Sequence, residues 1–375
     1  MVELVEVNTK PLLKKFIEFP KKLNKGNPHF IPHLDMDRWE HFDRAKNPFF
    51  EHGEGVFFLA LENSEPVGRI TAQYDNIHLE RYKDSTGFFG HFEAIDSQAV
   101  ADALLKKAEE WLKGKGLNIA RGPFNFNIND EMGILVDGFD SPPFIMMTYN
   151  PPYYDKLVKG AGYDKAMDVF AWKYIIGDLS EQVKQIAEFT ENVPDLKVRT
   201  VDKKKIDDDI KIVLDIFNDA WAENWGYLPM TDNEIKHAVK NLKMILEPQI
   251  TFIAELKGEP IAMGIAVPNL NEAIRDFGGR LFPFNFFKLI WRLKISNPKT
   301  ARLMLLGIKK KFRGIPELKG LSVLLYAKSH INAKKLGYET GELGWTLESN
   351  EKINKGIRLM GGIPYKTFRI FEKRL

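Results

Sequence analysis

Apolar positions along this chain follow two rhythms. Spacings of three and four residues predict helices at about Lys10–Asn24, Gln98–Gly114, Asp207–Trp221, Leu318–Leu336 and Glu351–Met360, with a short one at Tyr154–Lys159. Short apolar or alternating runs predict strands at Val56–Leu61, Val67–Tyr74, Gly87–Ala94, Val169–Tyr174, Ile250–Leu256, Ile261–Val267, Arg302–Ile308, Glu342–Glu348 and Thr367–Glu372. Strands and helices are mixed, and the strand after each of two hairpins leads into a helix. That order predicts an α+β fold, with one central mixed sheet flanked by helices in each domain.

The pattern also repeats. Phe58-Leu-Ala-Leu-Glu-Asn-Ser-Glu-Pro-Val67 and Phe252-Ile-Ala-Glu-Leu-Lys-Gly-Glu-Pro-Ile261 are each a strand, a tight polar turn and a Glu-Pro entering a second strand. Gly160-Ala-Gly-Tyr-Asp-Lys-Ala-Met-Asp-Val-Phe170 echoes Gly361-Gly-Ile-Pro-Tyr-Lys-Thr-Phe-Arg-Ile-Phe371. The offsets, 194 and 201 residues, nearly agree, which indicates a duplicated unit. The first unit spans 1–176, a polar junction 177–202, and the second unit 203–375.

Composition narrows the chemistry. Among 375 residues there is no cysteine, which removes disulfides, thiolate catalysis and cysteine-bound zinc. The start has no basic segment before an apolar core, and no uncharged apolar run approaches ~18–20 residues, so a cytoplasmic protein is expected. The net charge of +3 gives no case for nucleic acid. The eight histidines lack metal-ligand spacing, so no metal is expected, and neither GxSxG nor a P-loop occurs. The charge is uneven, however. Arg275 to Arg313 holds eleven Lys/Arg against one acid, Asp276. Within it an insertion at about 270–300 carries Leu281-Phe-Pro-Phe-Asn-Phe-Phe-Lys-Leu-Ile-Trp-Arg-Leu-Lys-Ile295. Aromatics beside spaced cations fit a segment resting on an anionic membrane, the wall of an apolar tunnel, or a hairpin packed on its own domain.

The most informative order lies near the C-terminal end. An apolar strand, Arg302-Leu-Met-Leu-Leu-Gly-Ile308, enters the basic turn Lys309-Lys-Lys-Phe-Arg-Gly314 and then a helix. A second strand ends at Asn350, and a short helix, Gly361-Gly362 and a last strand follow. Free amides at a strand-to-helix turn, with the helix dipole, favour an anion. This order resembles the coenzyme A-binding half of the GNAT acyltransferase superfamily. The resemblance implies that acyl-CoA or acetyl-CoA is held at Lys311, Phe312, Arg313 and Gly314, with the pantetheine arm along Leu306, Gly307 and Ile308 and Asn350 nearby. Pro316 and Leu318 stand where the family commonly has glycines, and Pro316 lacks an amide; Lys309 to Lys311 offer charge instead. The matching first-unit turn, Glu93 to Ala99, is acidic, so coenzyme is expected in the second unit only.

Acyl transfer to an amine needs a polarised thioester and a proton for the leaving thiolate. The family's tyrosine, seven residues after the Asn, is Ile357 here; Tyr326 and Tyr365 are the substitutes. Alternation puts Glu342 and Glu348 on one strand face, as a water-linked general base or as solvent-exposed residues. Asn218, Trp221, Asn224 and Trp225 follow a helix where the family borders its acceptor.

More of the chain, through Asn47-Pro-Phe-Phe50, Gly68-Arg-Ile70, Gly122-Pro123, Asn129-Asp-Glu131, Pro142-Pro143, Asn150-Pro-Pro-Tyr-Tyr154, Asn224-Trp-Gly226 and Phe312-Arg-Gly314, resembles a group of bacterial tandem-GNAT proteins to which bacterial ceramide synthases are similar. That implies an acyl-CoA-dependent N-acyltransferase acting on a small-molecule or lipid amine; the basic aromatic insertion suits it, and with its flanking cations would make the protein peripheral to the inner membrane. The competing class is a non-catalytic acyl-CoA or lipid binding protein with a degenerate fold.

Overall fold

The computed structural model describes residues 2–296 and 298–375; Met1 and Asn297, inside the ranges drawn for the first unit and the insertion, lie outside the described residues. The first half runs β1 (Glu3–Glu6), α1 (Lys10–Leu23), α2 (Asp35–His41), β2 (Gly53–Glu62), β3 (Glu65–Asp75), α3 (Asn76–Tyr82), β4 (Thr86–Ala94), α4 (Gln98–Gly114), β5 (Ile119–Gly122), β6 (Ile134–Asp137), α5 (Tyr154–Gly160) and β7 (Asp164–Ile175). The second runs α6 (Glu181–Glu191), β8 (Leu196–Thr200), α7 (Ile206–Trp221), α8 (Asp232–Ile245), β9 (Phe252–Leu256), β10 (Glu259–Pro268), α9 (Leu270–Ile274), α10 (Asn285–Trp291), β11 (Thr300–Ile308), α11 (Leu321–Lys335), β12 (Thr340–Leu347), α12 (Glu351–Leu359) and β13 (Ile363–Arg374).

The α+β class and the tandem arrangement agree with the sequence, but the two expected sheets are one. The strand order is β1-β2-β3-β4-β5-β13-β7-β12-β11-β10-β9-β8, with β6 pairing β13 off this path. Each half has given up its last strand. β7 pairs with β12 of the second half, and β13 sits between β5 and β7. The backbone ladder therefore runs through both units drawn from the sequence. The expected junction at 177–202 is built structure as well: it holds α6 and the sheet-edge strand β8. Val183 and Ala187 of α6 join the core around Leu321, Leu324 and Leu325 of α11, which is why a polar-looking helix stays docked.

Two apolar layers carry the halves. Leu104, Leu105 and Leu112 of α4 pack on Phe58, Ile70 and Phe89, and α11 covers the corresponding face of the second half. The opposite face of the first half departs from the usual rule for half-covered sheets. β3 alternates Arg69, Thr71, Gln73 and Asp75, a series that reads as solvent-facing. In the fold all four are buried, because Phe16, Ile17, Phe42, Phe49 and Phe126 form a lid of rings and aliphatics over that face.

Candidate functional site

In the second half β11 and β12 pair in parallel only from Thr300 and Thr340 to Leu303 and Leu343; beyond that they part. Two irregularities drive them apart. β10 and β11 slip register between Ile265 and Ala266, opposite Leu303–Leu305. β12 bulges between Leu343 and Thr346, where Gly344 takes φ +83°, a backbone conformation suited to glycine. The cleft so opened encloses about 510 Å³, its mouth included. Its wall is apolar, with Leu303, Met304, Leu306, Trp345 and Ile357, and its polar groups are few: Tyr326, Thr346, Asn224 and Asn350. An apolar slot with a few placed polar groups suits an acyl thioester.

Five sequence-predicted residues meet here: Trp221, Asn224, Leu306, Tyr326 and Asn350. Gly307 lies behind them, where a Cβ would come within 2.3 Å of the Trp221 ring, so glycine lets the indole lie on β11. Burial pushes the Tyr326 hydroxyl far above its ordinary value, so it keeps its proton. Ile357 is buried in the wall at the place the family gives to tyrosine.

Other expectations are corrected. The β12 bulge adds one residue, so Glu342 and Glu348 do not share a face. Glu342 pairs opposite Lys173, whereas Thr346 shares its side with Trp172 and accepts from its indole at 2.8 Å. Glu342 is fully buried outside the cleft wall. Arg302 Nε lies 3.0 Å from Glu342 Oε1, and the Tyr365 hydroxyl donates to the other oxygen. Burial raises this carboxyl despite Arg302. Arg302 also donates to the Ile145 carbonyl and to Met147 sulfur, tying β11 to the first half. Glu348 is at the surface with Lys165 at 2.7 Å. Trp225 packs into the first-half core under Arg121, and Asn218 accepts from the Tyr227 hydroxyl at 2.7 Å; neither lines the cleft.

The basic turn is largely neutralised. Lys309 pairs with Asp215, Lys310 with Glu223 and Lys311 with Glu259. Arg313 donates to the carbonyls of Ile308 and Ala220, so it fastens the turn to the end of α7. Phe312 packs on the core of this half. The amides of Gly314 and Ile315 have no acceptor among the described residues and remain for an anion. A short 3-10 turn, Pro316–Leu318, separates Gly314 from α11, so these donors are not continuous with the helix N-terminus.

The first half closes the matching gap. Phe124 N donates to Phe89 O, and a Cβ on Gly90 would lie 1.9 Å from the Phe124 carbonyl, so backbone fills the slot. Beside it is a larger open pocket of about 910 Å³, its mouth included, lined by charged groups to which the sequence assigned no role. Arg69 donates to Phe16 O at 2.8 Å and to Glu93 at 3.2 Å. Glu131 meets His33 at 3.3 Å and Arg38 at 3.6 Å. His91 Nε2 lies 3.0 Å from His41 Nε2. Burial and nearby arginines hold His41 and His91 well below the ordinary histidine value, and burial takes His33 to about 4. The signal was present in Gly68-Arg-Ile70 and Asn129-Asp-Glu131, whose charges sit inside apolar surroundings. Among the described residues no group of three His, Asp or Glu has metal-binding geometry.

The aromatic insertion is exposed. Phe284 is 81% accessible, Phe287 70% and Trp291 52%, while Leu281 and Leu289 pack back toward Leu34, Ile274 and Phe277, and Lys288 and Arg292 lie over the Phe277 ring. This excludes a hairpin packed wholly on its own domain. Lys288 and Arg292 hold Asp276, and Arg275, Arg280 and Lys294 face solvent. No helix among the described residues is long and apolar enough to cross a membrane.

Known proteins share this architecture. The chain is similar to a tandem GNAT protein from the clavulanic acid biosynthesis pathway, with TM-score 0.57, 10% identity and coverage of 100% and 98% of the two chains. It is similar to a GCN5-related N-acetyltransferase from Sphaerobacter thermophilus, with TM-score 0.55, 9% identity and coverage of 100% and 95%. At these identities the likeness is one of fold. No protein-family model matches the chain. In sequence it is 37% identical to the bacterial ceramide synthase of Caulobacter vibrioides over 100% of this chain and 98% of that protein. It is 37% identical to protein YghO of Escherichia coli over 97% and 93%. The chain therefore belongs to the family of these two bacterial proteins, and its fold is that of tandem GNAT proteins.

Proposed function

We propose that this protein is an acyl-CoA-dependent N-acyltransferase that works at a membrane surface on a lipid-like amine. The observation that carries the reading is the apolar cleft at the parting of β11 and β12, with the Tyr326 hydroxyl in its wall. A thioester arm lying along Met304 and Leu306 would find strand groups that β12 no longer pairs. The amine lone pair forms the C–N bond as the C–S bond breaks. The thiolate takes the Tyr326 proton, and the proton shed by the amine restores the tyrosine. The name of the Caulobacter relative, a bacterial ceramide synthase aligned over its full length at 37% identity, supports a long acyl chain and a lipid acceptor. The exposed Phe284, Phe287 and Trp291 beside free cations support attachment to anionic lipid.

The paired lysines of the turn and Ile357 in the tyrosine position favour one other reading, a protein that binds acyl-CoA or lipid without turning it over. Calorimetric titration with acetyl-CoA and a long-chain acyl-CoA, followed by single-turnover assay with long-chain amines, separates the two. Binding without amide product in every pairing would leave the binding protein. Co-sedimentation with anionic vesicles tests attachment: the wild type should pellet at low salt, and Phe284→Ser/Phe287→Ser/Trp291→Ser should remain in solution. A wild type that stays in the supernatant would remove the membrane from the proposal.

A further inference from the structure

β11 and β12 stop pairing one step short of Gly344, and a side chain holds them there. Their last parallel partners are Leu303 and Leu343, so the register would next set Met304 opposite Gly344. The Gly344 carbonyl instead accepts from Arg302 Nε at 3.0 Å. Glu342 Oε1 lies just as near that nitrogen but receives no hydrogen bond among the described residues, so the N–H is spent on the carbonyl. A carbonyl already bound to a charged donor gains little from an approaching strand amide. Arg302 is only 3% exposed and does not itself line the cleft, yet it opposes closure at a glycine that does.

The other end of the same guanidinium reaches the first half. It donates to the Ile145 carbonyl and to the Met147 sulfur. Ile145 is clasped from both sides. Its amide donates to Asn269 Oδ1 at 3.2 Å, and Asn269 Nδ2 donates to Thr300 Oγ1 of β11 at 3.0 Å. Asn271 donates to the Pro143 carbonyl at 3.0 Å. The segment so held is one wall of the charged pocket, which Pro143, Met147, Thr148, Tyr149 and Asn150 line. One buried, planar group thus bonds the edge of the cleft through Nε and the wall of the pocket through its terminal nitrogens. A guanidinium is a rigid fork. A displacement of the Met147 segment tilts it and changes its hold on Gly344, and the reverse holds as well.

We infer that Arg302 is a positioning residue of the second-half cleft, and that through it the wall of the first-half pocket sets how far β11 and β12 part. Naming acyl-CoA as the ligand of the cleft rests on the acyltransferase reading; the coupling of the two walls does not. The test uses the full chain as wild type, Arg302→Lys, Met147→Leu and the double variant. Amide hydrogen exchange is read at 143–150 and 344–348, and affinity by titration with palmitoyl-CoA, with the unfolding midpoint of each variant measured alongside. Lysine keeps a cation facing Glu342 but has no fork. Arg302→Lys should therefore speed exchange in both segments and weaken palmitoyl-CoA binding by about tenfold or more. Met147→Leu keeps the volume and removes only the sulfur acceptor. It should alter exchange at 344–348 and shift palmitoyl-CoA affinity by about two- to fivefold, although Met147 does not line the cleft. In the double variant this second effect should vanish, because its route is already cut. An arginine with a merely structural role would lower the midpoint and leave the two effects additive. Additive effects, or wild-type exchange at 344–348 in Arg302→Lys, would overturn the inference. If Arg302→Lys does not fold, Met147→Leu decides, and wild-type exchange at 344–348 in that variant overturns it. If the wild type binds no palmitoyl-CoA, exchange still decides the coupling, and the reading of the cleft as an acyl-CoA site is what fails.

Discussion

The two halves share an order of strands and helices yet differ at the same gap in the sheet. In the second half the gap between β11 and β12 is open and apolar. In the first half the segment after β5 fills it, and the pocket beside it is walled with ion pairs. Duplication supplied two scaffolds, and local backbone decided what each can hold. A glycine at 344 bends β12 away, whereas glycines at 90 and 122 let Phe124 and Phe89 backbones come close.

The strongest way to break this difference is Gly90→Ala. Its Cβ would sit 1.9 Å from a backbone oxygen, which no side-chain rotation relieves. We expect a loss of about 3 kcal/mol or more by analogy with overpacked cores, read as a lower denaturation midpoint. Gly314→Ala in the second half has open space around it and should cost under about 0.5 kcal/mol.

Next in size is the lock between halves. Arg302→Met leaves Glu342 buried without its cation, and removing one partner of such a pair costs about 3–5 kcal/mol. Arg302→Met/Glu342→Gln should recover part of that loss. If the double variant is as unstable as the sum of the singles, Arg302 acts through Ile145 and Met147 rather than through Glu342.

Acid should sharpen the contrast. His41 and His91 are held below the ordinary value of 6.5 in the folded chain. As pH falls below 6.5 the unfolded chain takes up protons that the folded chain refuses, so stability drops by about 1.4 kcal/mol per pH unit for each. His33 acts in the same direction down to about 4. Its side chain is 42% exposed, so water screens its share. Asp130, raised to about 7 by burial and then Glu131, opposes them, because its folded form gains a proton first. Glu93, raised by burial, does likewise. The two buried histidines should make stability fall as pH drops from 7 to 5, measured as denaturant midpoints. His91→Gln should flatten that slope even if it lowers the starting stability; an unchanged slope would take His91 out of the account.

Much of this architecture was legible. Helices such as Gln98–Gly114 and the paired hairpins stood out because their apolar spacing matches burial on one face. The exchange of β7 and β13 was not legible, since both strands read the same whichever neighbour they choose. The alternation of Arg69, Thr71, Gln73 and Asp75 signals a polar face, but only tertiary cover decides whether that face meets water or a lid of phenylalanines. At the cleft, the family resemblance pointed to Trp221, Asn224, Leu306, Tyr326 and Asn350, and all five line its wall. Pairing across β12 failed for Glu342 and Glu348 because a single bulge at Gly344 reverses every side chain beyond it.

Tyr326→Phe tests the open gap at the level of chemistry. Tyr326 is half-buried in the cleft wall, and burial keeps its hydroxyl protonated. Losing a general acid typically costs about 10²-fold or more in turnover, near 3 kcal/mol of barrier. Acyl-CoA affinity should stay within about twofold, since the ring that fills the wall remains. A variant with full turnover would mean that the thiolate leaves without help or that water supplies its proton.

Arg313→Ala should have the smallest effect, and it tests whether the turn binds by charge or by backbone. A free guanidinium on a pyrophosphate would contribute about 1–3 kcal/mol. Here Arg313 is committed to the carbonyls of Ile308 and Ala220, at 2.8 Å for the first, and the adjacent lysines face acids. Removing it loosens the turn on α7 but takes no uncommitted charge from the anion. Acyl-CoA affinity should therefore fall less than about fivefold, below 1 kcal/mol, with a shallow salt dependence, because the amides of Gly314 and Ile315 remain. A fall of a hundredfold, steepening at low salt, would mean that Arg313 leaves those carbonyls for phosphate when coenzyme binds. The open half would then differ from the closed one by an induced cationic site as well as by its gap.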